Sequence, residues 1–258
     1  MTTYLDRILE RHRETAAADT RSLEHLLDEA HSLPPTRGFR AALADAGHLA
    51  VISEVKRRSP SKGDLNAGLD PVAMAATYEA GGASCLSVLT DTEFFGGSVA
   101  DLQAARSACR LPVLRKDFTV AAHDVVDARI MGADCVLLIA AALERDLLVD
   151  LHALAVEIGL DVLVEIHDEH ELESALAASA TLIGVNQRDL VTFQVDHERA
   201  VRVAGVIPDG VVKVAESGVR GGADARSLEA AGYHAVLVGE TLVTSGDPAA
   251  SIRELIGR

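Results

Sequence analysis

Two lysines, three glutamates and an asparagine stand at or just past the carboxyl ends of short β-branched runs in this sequence. Glu54 and Lys56 close Ile52-Ser53-Glu54-Val55-Lys56, and Lys116 closes Leu114-Arg115-Lys116. Glu165 follows Leu163-Val164, Asn186 follows Gly184-Val185, and Glu216 follows Val214-Ala215 and precedes Ser217. Successive side chains on a strand point to opposite faces, so each of these polar residues shares a face with the small or apolar residue two before it, except Lys56, which shares that of Ile52 and Glu54. If those residues fill a common interior, the polar ones ring one end of it. Charges rarely face an interior without a partner or a task. Five strands with the same pattern indicate one site rather than five separate ion pairs. A lysine beside carboxylates provides acid–base chemistry without a metal. Burial lowers its pKa and a neighbouring carboxylate raises it, and the sequence leaves open which prevails at Lys56 and Lys116. No metal site is read: there is no His-x-x-x-His, no cysteine cluster and no histidine at a strand end. His167 and His170 read as the solvated start of a helix.

The last two glycine-rich segments suggest an anion site. Ser217-Gly218 is read as opening the seventh helix, with Gly221-Gly222 behind it. Gly239-Glu240 follows the eighth run, ahead of the turn Thr244–Pro248. Glycines let backbone N–H groups approach an anion, and helix N-termini favour negative charge. The segment Arg57–Gly63 (RRSPSKG) reads either as a basic flexible loop or as a source of a serine hydroxyl and local positive charge. In a chain of net charge −15 the second reading is favoured.

The elements that must position these groups repeat along the chain. Eight β-branched runs begin between residues 50 and 235, about 26 residues apart, the size of a strand-plus-helix unit. They are 50–55, 84–89, 112–116, 135–140, 161–166, 182–186, 211–216 and 235–239. Ala-rich stretches with helical periodicity lie between them, among them 72–82, 123–133 and 144–159. Glycines at 82, 132 and 232 stop helices just before strands. Eight such units with no antiparallel signal predict an α/β fold, a closed (β/α)₈ TIM barrel, over an open doubly wound sheet. Residues 49–258 form the barrel and residues 1–48 a helical N-terminal extension, broken at Pro34-Pro35, with no linker, hence one domain. The 258 residues are 48% hydrophobic, and 39 Asp+Glu outnumber 24 Lys+Arg. That balance disfavours nucleic acid and anionic membrane as partners. No apolar run approaches the ~18 residues of a spanning helix, and the N-terminus lacks a signal-peptide core. Cys85, Cys109 and Cys135 read as reduced, mostly buried thiols of a cytoplasmic protein.

Several segments together resemble the indole-3-glycerol phosphate synthase family of tryptophan biosynthesis. They are VISEVKRRSPSKG (51–63), SVLTDTEFFGGS (87–98), PVLRKDF (112–118), ADCVLLIAAAL (133–143), LVEIHDE (163–169), IGVNQRDL (183–190), VAESGV (214–219) and AVLVGETLV (235–243). The resemblance covers essentially the whole chain. It implies a carbon–carbon lyase (a carboxy-lyase) that closes 1-(2-carboxyphenylamino)-1-deoxyribulose 5-phosphate into indole-3-glycerol phosphate. Carbon dioxide and water leave, and neither cofactor nor metal takes part. It implies Lys116 as general acid, Glu165 as general base, and Lys56 as carboxylate holder or second acid, with Glu54 and Asn186 orienting them. Glu216 and Ser217 match the family's seventh-strand site motif, and Phe94 and Phe118 its aromatic pocket. Phosphate is expected at Ser59, Gly218, Gly239 and the backbone of Glu240. Arg188 is expected to steady its loop or pair with a site carboxylate. Gln187 stands where the family often has a second asparagine, on the face opposite Asn186, with little effect expected. The expected partner is this anionic small molecule, bound by a monomer or weak homodimer. Two alternatives are another phosphate-binding barrel, such as a phosphoribosylanthranilate isomerase, and a non-catalytic sugar-phosphate-binding regulator.

Overall fold

The computed structural model describes residues 3–60, 62–189 and 191–258. Ser61 of the RRSPSKG loop and Leu190 of IGVNQRDL lie outside the described residues. The β-branched runs form eight parallel strands: β1 (Ala50–Val55), β2 (Cys85–Leu89), β3 (Val113–Lys116), β4 (Cys135–Ile139), β5 (Asp161–Ile166), β6 (Leu182–Asn186), β7 (Val212–Glu216) and β8 (Ala235–Val238). Each pairs with its neighbours in sequence, and β8 returns to β1 with Ala50 opposite Ala235 and Ser53 opposite Val238, so the barrel is closed. The open-sheet alternative is thereby excluded. Strands covered on both faces need no polar alternation, and only Lys116, Asp161 and Lys213 among the strand residues escape full burial. Some expected ends shift by a residue for local reasons. Ala140 starts a short 3-10 turn, and Gly239 is the N-cap of the helix after β8.

Helices α1 (Tyr4–Ala17), α2 (Leu23–Ser32) and α3 (Phe39–Ala44) precede the barrel. The barrel helices are α4 (Pro71–Gly81), α5 (Val99–Ala108), α6 (Ala122–Ile130), α7 (Arg145–Glu157), α8 (Glu169–Ala177), α9 (His197–Ala204) and α10 (Gly222–Ala230). The short α11 (Glu240–Val243) and α12 (Pro248–Leu255) finish the ring. Asp70, Ser98, Asp168, Asp196 and Asp247 accept N-terminal backbone N–H groups of the helices they precede. Gly82, Gly132 and Gly232 take left-handed φ values of 94°, 98° and 89° where helices were expected to stop.

The N-terminal extension holds both ends of the barrel. At the end where the strands begin, the backbone N–H of Arg37 donates to Asp134 (2.8 Å) and that of Arg40 to Asp161 (2.9 Å), while Phe39 is fully buried. Arg21 clamps Asp127 of α6 through two hydrogen bonds of 2.9 and 2.7 Å. At the opposite end α1 lies beside the loops that follow β2, β3 and β4. His12 meets Asp91 at 3.1 Å, and Arg13 donates to the carbonyl of Ala142 at 3.1 Å.

Candidate active site

The carboxyl ends of the strands surround a cavity of about 470 Å³. Every candidate residue from the sequence lines it except Phe94. On β1, Glu54 forms an ion pair with Lys56, one strand period further on. The room for it comes from the residue just past β8: a Cβ added at Gly239 would lie 2.1 Å from Glu54 Oε1 and 3.0 Å from Lys56 Nζ. Tyr78 of α4 fixes the backbone below, its hydroxyl donating to the Glu54 carbonyl at 3.1 Å.

Glu165 is the centre of the polar cluster and is 1% exposed. Lys116 Nζ lies 3.4 Å from its Oε2, and Asn186 Nδ2 donates to its Oε1 at 3.0 Å. The Asn186 amide is held from its other side, where Oδ1 accepts the backbone N–H of Arg188 at 3.0 Å. Glu216, 2% exposed, lies beside Glu165. Burial disfavours the Lys116 ammonium, but its carboxylate neighbours, Glu165 foremost, outweigh it and hold the pKa above the ordinary lysine value. The balance left open by the sequence at Lys116 is thus decided by carboxylates on other strands. Burial works against ionised Glu165 as well, yet Lys116, His167 and the Asn186 amide hold its pKa below the usual range. Glu216 moves the other way: burial and adjacent Glu165 raise it well above an ordinary carboxyl. The resting site therefore contains a charged lysine, an ionised carboxylate and a neutral carboxyl side by side.

The glycine-rich end differs from the expectation in one respect. Ser217-Gly218 does not open a helix; α10 begins at Gly222. Ser217 (φ 66°) and Gly218 (φ 74°) are both left-handed, a conformation that turns the chain sharply and cannot start a right-handed helix. Gln187, expected to matter little, is 1% exposed and donates from Nε2 to the Ser217 carbonyl at 2.7 Å, holding that turn. Arg188 donates to the Phe193 carbonyl at 3.1 Å, which steadies its own loop. In the first loop, Arg57 is bound to Asp101 (2.7 Å) and Arg58 to the carbonyls of Thr92 and Glu93, so neither arginine lines the cavity. Ser59 and Lys62 do, with Lys62 Nζ 3.5 Å from Glu240 Oε1. Ser217, Gly218, Gly239, Ser59 and Lys62 thus all line the one cavity, contributing hydroxyls, bare backbone and a positive charge.

Three features were misplaced or missed. Phe95, not Phe94, lines the cavity, with its ring 6.3 Å from that of Phe118, and Phe193 joins them. Phe94 is buried away from the cavity and packs edge-on against Tyr4 of α1 at 5.7 Å. A tight turn follows β2, with the N–H groups of both phenylalanines donating to Asp91 Oδ1 (2.6 and 3.0 Å), and strand alternation does not extend through it. His167 is not solvated: it directly follows β5 and is 9% exposed, with Nε2 3.8 Å from Glu165. His12, Asp91 and Asp117 form a third group with metal-ligand atom types. Arg115 already balances Asp117 at 3.1 Å, so the group acts as an ion-pair clasp between α1 and the barrel.

A closed parallel barrel with a buried lysine–glutamate pair and glycine-lined loops at the carboxyl ends of its strands has the architecture of a (β/α)₈-barrel enzyme. Its fold matches thiamine phosphate pyrophosphorylase from Pyrococcus furiosus (TM-score 0.61, 16% identity, 80% of this chain and 93% of that one). It also matches N-acetylmannosamine-6-phosphate 2-epimerase from Clostridium perfringens (TM-score 0.58, 14% identity, 76% and 87%). In sequence, the profile of the indole-3-glycerol phosphate synthases matches residues 5–255. The chain is 51% identical to indole-3-glycerol phosphate synthase 2 of Streptomyces coelicolor, over 90% of each. It is 52% identical to indole-3-glycerol phosphate synthase of Streptomyces griseus, over 91% of this chain and 87% of that one. The chain belongs to the indole-3-glycerol phosphate synthase family.

Proposed function

We propose that this barrel closes 1-(2-carboxyphenylamino)-1-deoxyribulose 5-phosphate to indole-3-glycerol phosphate, with Lys116 as the acid and Glu165 as the base. The observation that carries this reading is the Lys116–Glu165 pair, 3.4 Å apart and poised in opposite protonation states. Lys116 protonates the ketone oxygen as the aromatic carbon attacks it, and loss of carbon dioxide restores the aromatic ring. A second proton converts the resulting hydroxyl to departing water, while Glu165 removes a proton from the new five-membered ring. Lys56, held by Glu54, takes the anthranilate carboxylate or supplies that second proton. Phosphate held by Ser59, Gly218, Gly239 and the Glu240 backbone orients the chain from its far end. Phe95 and Phe118 flank the aromatic ring. The three cysteines are free and buried, which suits a reducing compartment, and we place the activity in the cytoplasm.

The proton count is set by the chemistry. Two protons go onto the ketone oxygen and one comes off the ring, so each turnover of the carboxylate substrate takes up one proton. The test is turnover of the purified protein, followed by indole fluorescence; the chain has no tryptophan to mask the signal. Lys116→Met and Glu165→Gln are expected to lower kcat by about 10²–10⁴-fold. A folded protein that binds the substrate without converting it would instead be a sugar-phosphate-binding regulator.

A further inference from the structure

The one proton consumed per turnover needs a source beside a base that is almost wholly buried. His167 stands directly behind Glu165 and does not line the cavity. Its Nδ1 faces Glu171 Oε2 at 3.1 Å, and its backbone N–H donates to the same oxygen at 2.8 Å. One carboxylate of α8 thus fixes both the ring and the chain that carries it. The other ring nitrogen, Nε2, is buried with no hydrogen-bond partner and lies 3.8 Å from Glu165 Oε1. A buried ring nitrogen left unpaired beside a carboxylate is costly unless it has a use. We propose that His167, held by Glu171, is a positioning residue that stores at Nε2 the proton each turnover consumes and passes it to Glu165.

The step balances: the Nε2–H bond breaks and a Glu165 O–H bond forms. The imidazolium becomes neutral imidazole that keeps its Nδ1 proton and still donates it to Glu171. Glu165 then recharges Lys116, whose Nζ is 3.4 Å from its other oxygen, and so is ionised again when it removes the ring proton, which it returns to Lys116 by the same route. His167 reloads from water through Glu165 once product has left the cavity. Three charged groups face the ring: Glu165 from β5, Glu171 from α8 and Arg199 from α9. Burial and Arg199 oppose the imidazolium, but the two glutamates prevail and lift its pKa above that of ordinary histidine. The inference deepens the proposed function and rests on that reading.

The experiment is single-turnover stopped flow in weakly buffered solution, with a pH-indicator dye and indole fluorescence read together. In the wild-type protein, proton uptake from solvent is expected to lag behind indole formation, because His167 covers the deficit during chemistry. In His167→Asn the two signals are expected to coincide, with kcat down by as much as about 10²-fold and KM little changed. Equal lags in both proteins, or no lag in either, would overturn the proposal. Glu171→Gln preserves the fold if His167→Asn does not; it should lower the histidine pKa and move the alkaline limb of the kcat profile to lower pH. An NMR titration of the His167 ring in the free protein needs no turnover. If wild type is inactive, the function reading falls, and the titration still decides the store: a ring that is neutral at Nε2 near pH 7 would overturn it.

Discussion

Glu216 Oε1 occupies the space that a side chain at Gly184 would need: a Cβ there would lie 1.9 Å from it. The two residues belong to adjacent strands, and the bare α-carbon of β6 gives the β7 carboxyl its place beside Glu165. Gly184→Ala should therefore push Glu216 into the Lys116–Glu165 pair. A displacement of about 1 Å in such a site costs about 10²-fold in rate. Steady-state kcat, measured beside circular dichroism to confirm folding, checks this.

Glu165 and Glu216 touch, yet the same substitution should affect them oppositely. Glu165→Gln removes an ionised base, and a loss of about 10²–10⁴-fold is expected. Glu216→Gln replaces a neutral carboxyl by a neutral amide and should stay within about tenfold of wild type. Stability separates them further. The folded-state pKa of Glu216 is raised, so the native protein keeps a proton that the unfolded chain releases, and stability falls as pH rises through that window. Glu216→Gln removes this penalty. Its Tm should exceed that of wild type at neutral pH, by about 2–4 °C per kcal/mol recovered, and the gain should shrink toward pH ~4.

The clasp between α1 and the barrel should titrate. Burial disfavours the His12 imidazolium, but Asp91, Asp117 and Asp124 outweigh it and raise its pKa. A raised histidine contributes stability that is fully present below its unfolded pKa of about 6.5 and is lost as pH rises through the folded value. The Tm gap between wild type and His12→Asn should be widest near pH ~6 and close on the alkaline side. Thermal melts of both proteins across that range measure it.

Asp134 offers a control at the far end of the barrel. It is fully buried and accepts the backbone N–H groups of Arg37 (2.8 Å) and Val113 (2.9 Å) and the Arg106 guanidinium (2.9 Å). Asp134→Ala leaves those donors without a partner and should cost about 3–5 kcal/mol in urea unfolding. At temperatures where the variant remains folded, kcat should not change, because the reacting groups lie at the other end of the strands.

Much of this molecule follows from local rules that act within a few residues. The two-residue strand period placed Glu54, Lys116, Glu165, Asn186 and Glu216 at one end of a barrel. β-Branched runs and glycine stops at 82, 132 and 232 marked its strands and several helix ends. Those rules fail where the chain leaves regular structure. The turn after β2 points Phe95 into the cavity and Phe94 toward α1, and left-handed Ser217 delays α10 until Gly222. They also fail where a side chain is held by a partner outside its own element. Glu171 of α8 turns His167 back toward Glu165, and α1 crosses more than 70 residues of sequence to reach Asp91. The sequence alone determined which groups were available and at which end of the barrel they would meet. Only the tertiary structure decided which carboxyl carries charge, because that depends on distances between side chains on different strands, and Coulomb energy and desolvation act through space rather than along the chain.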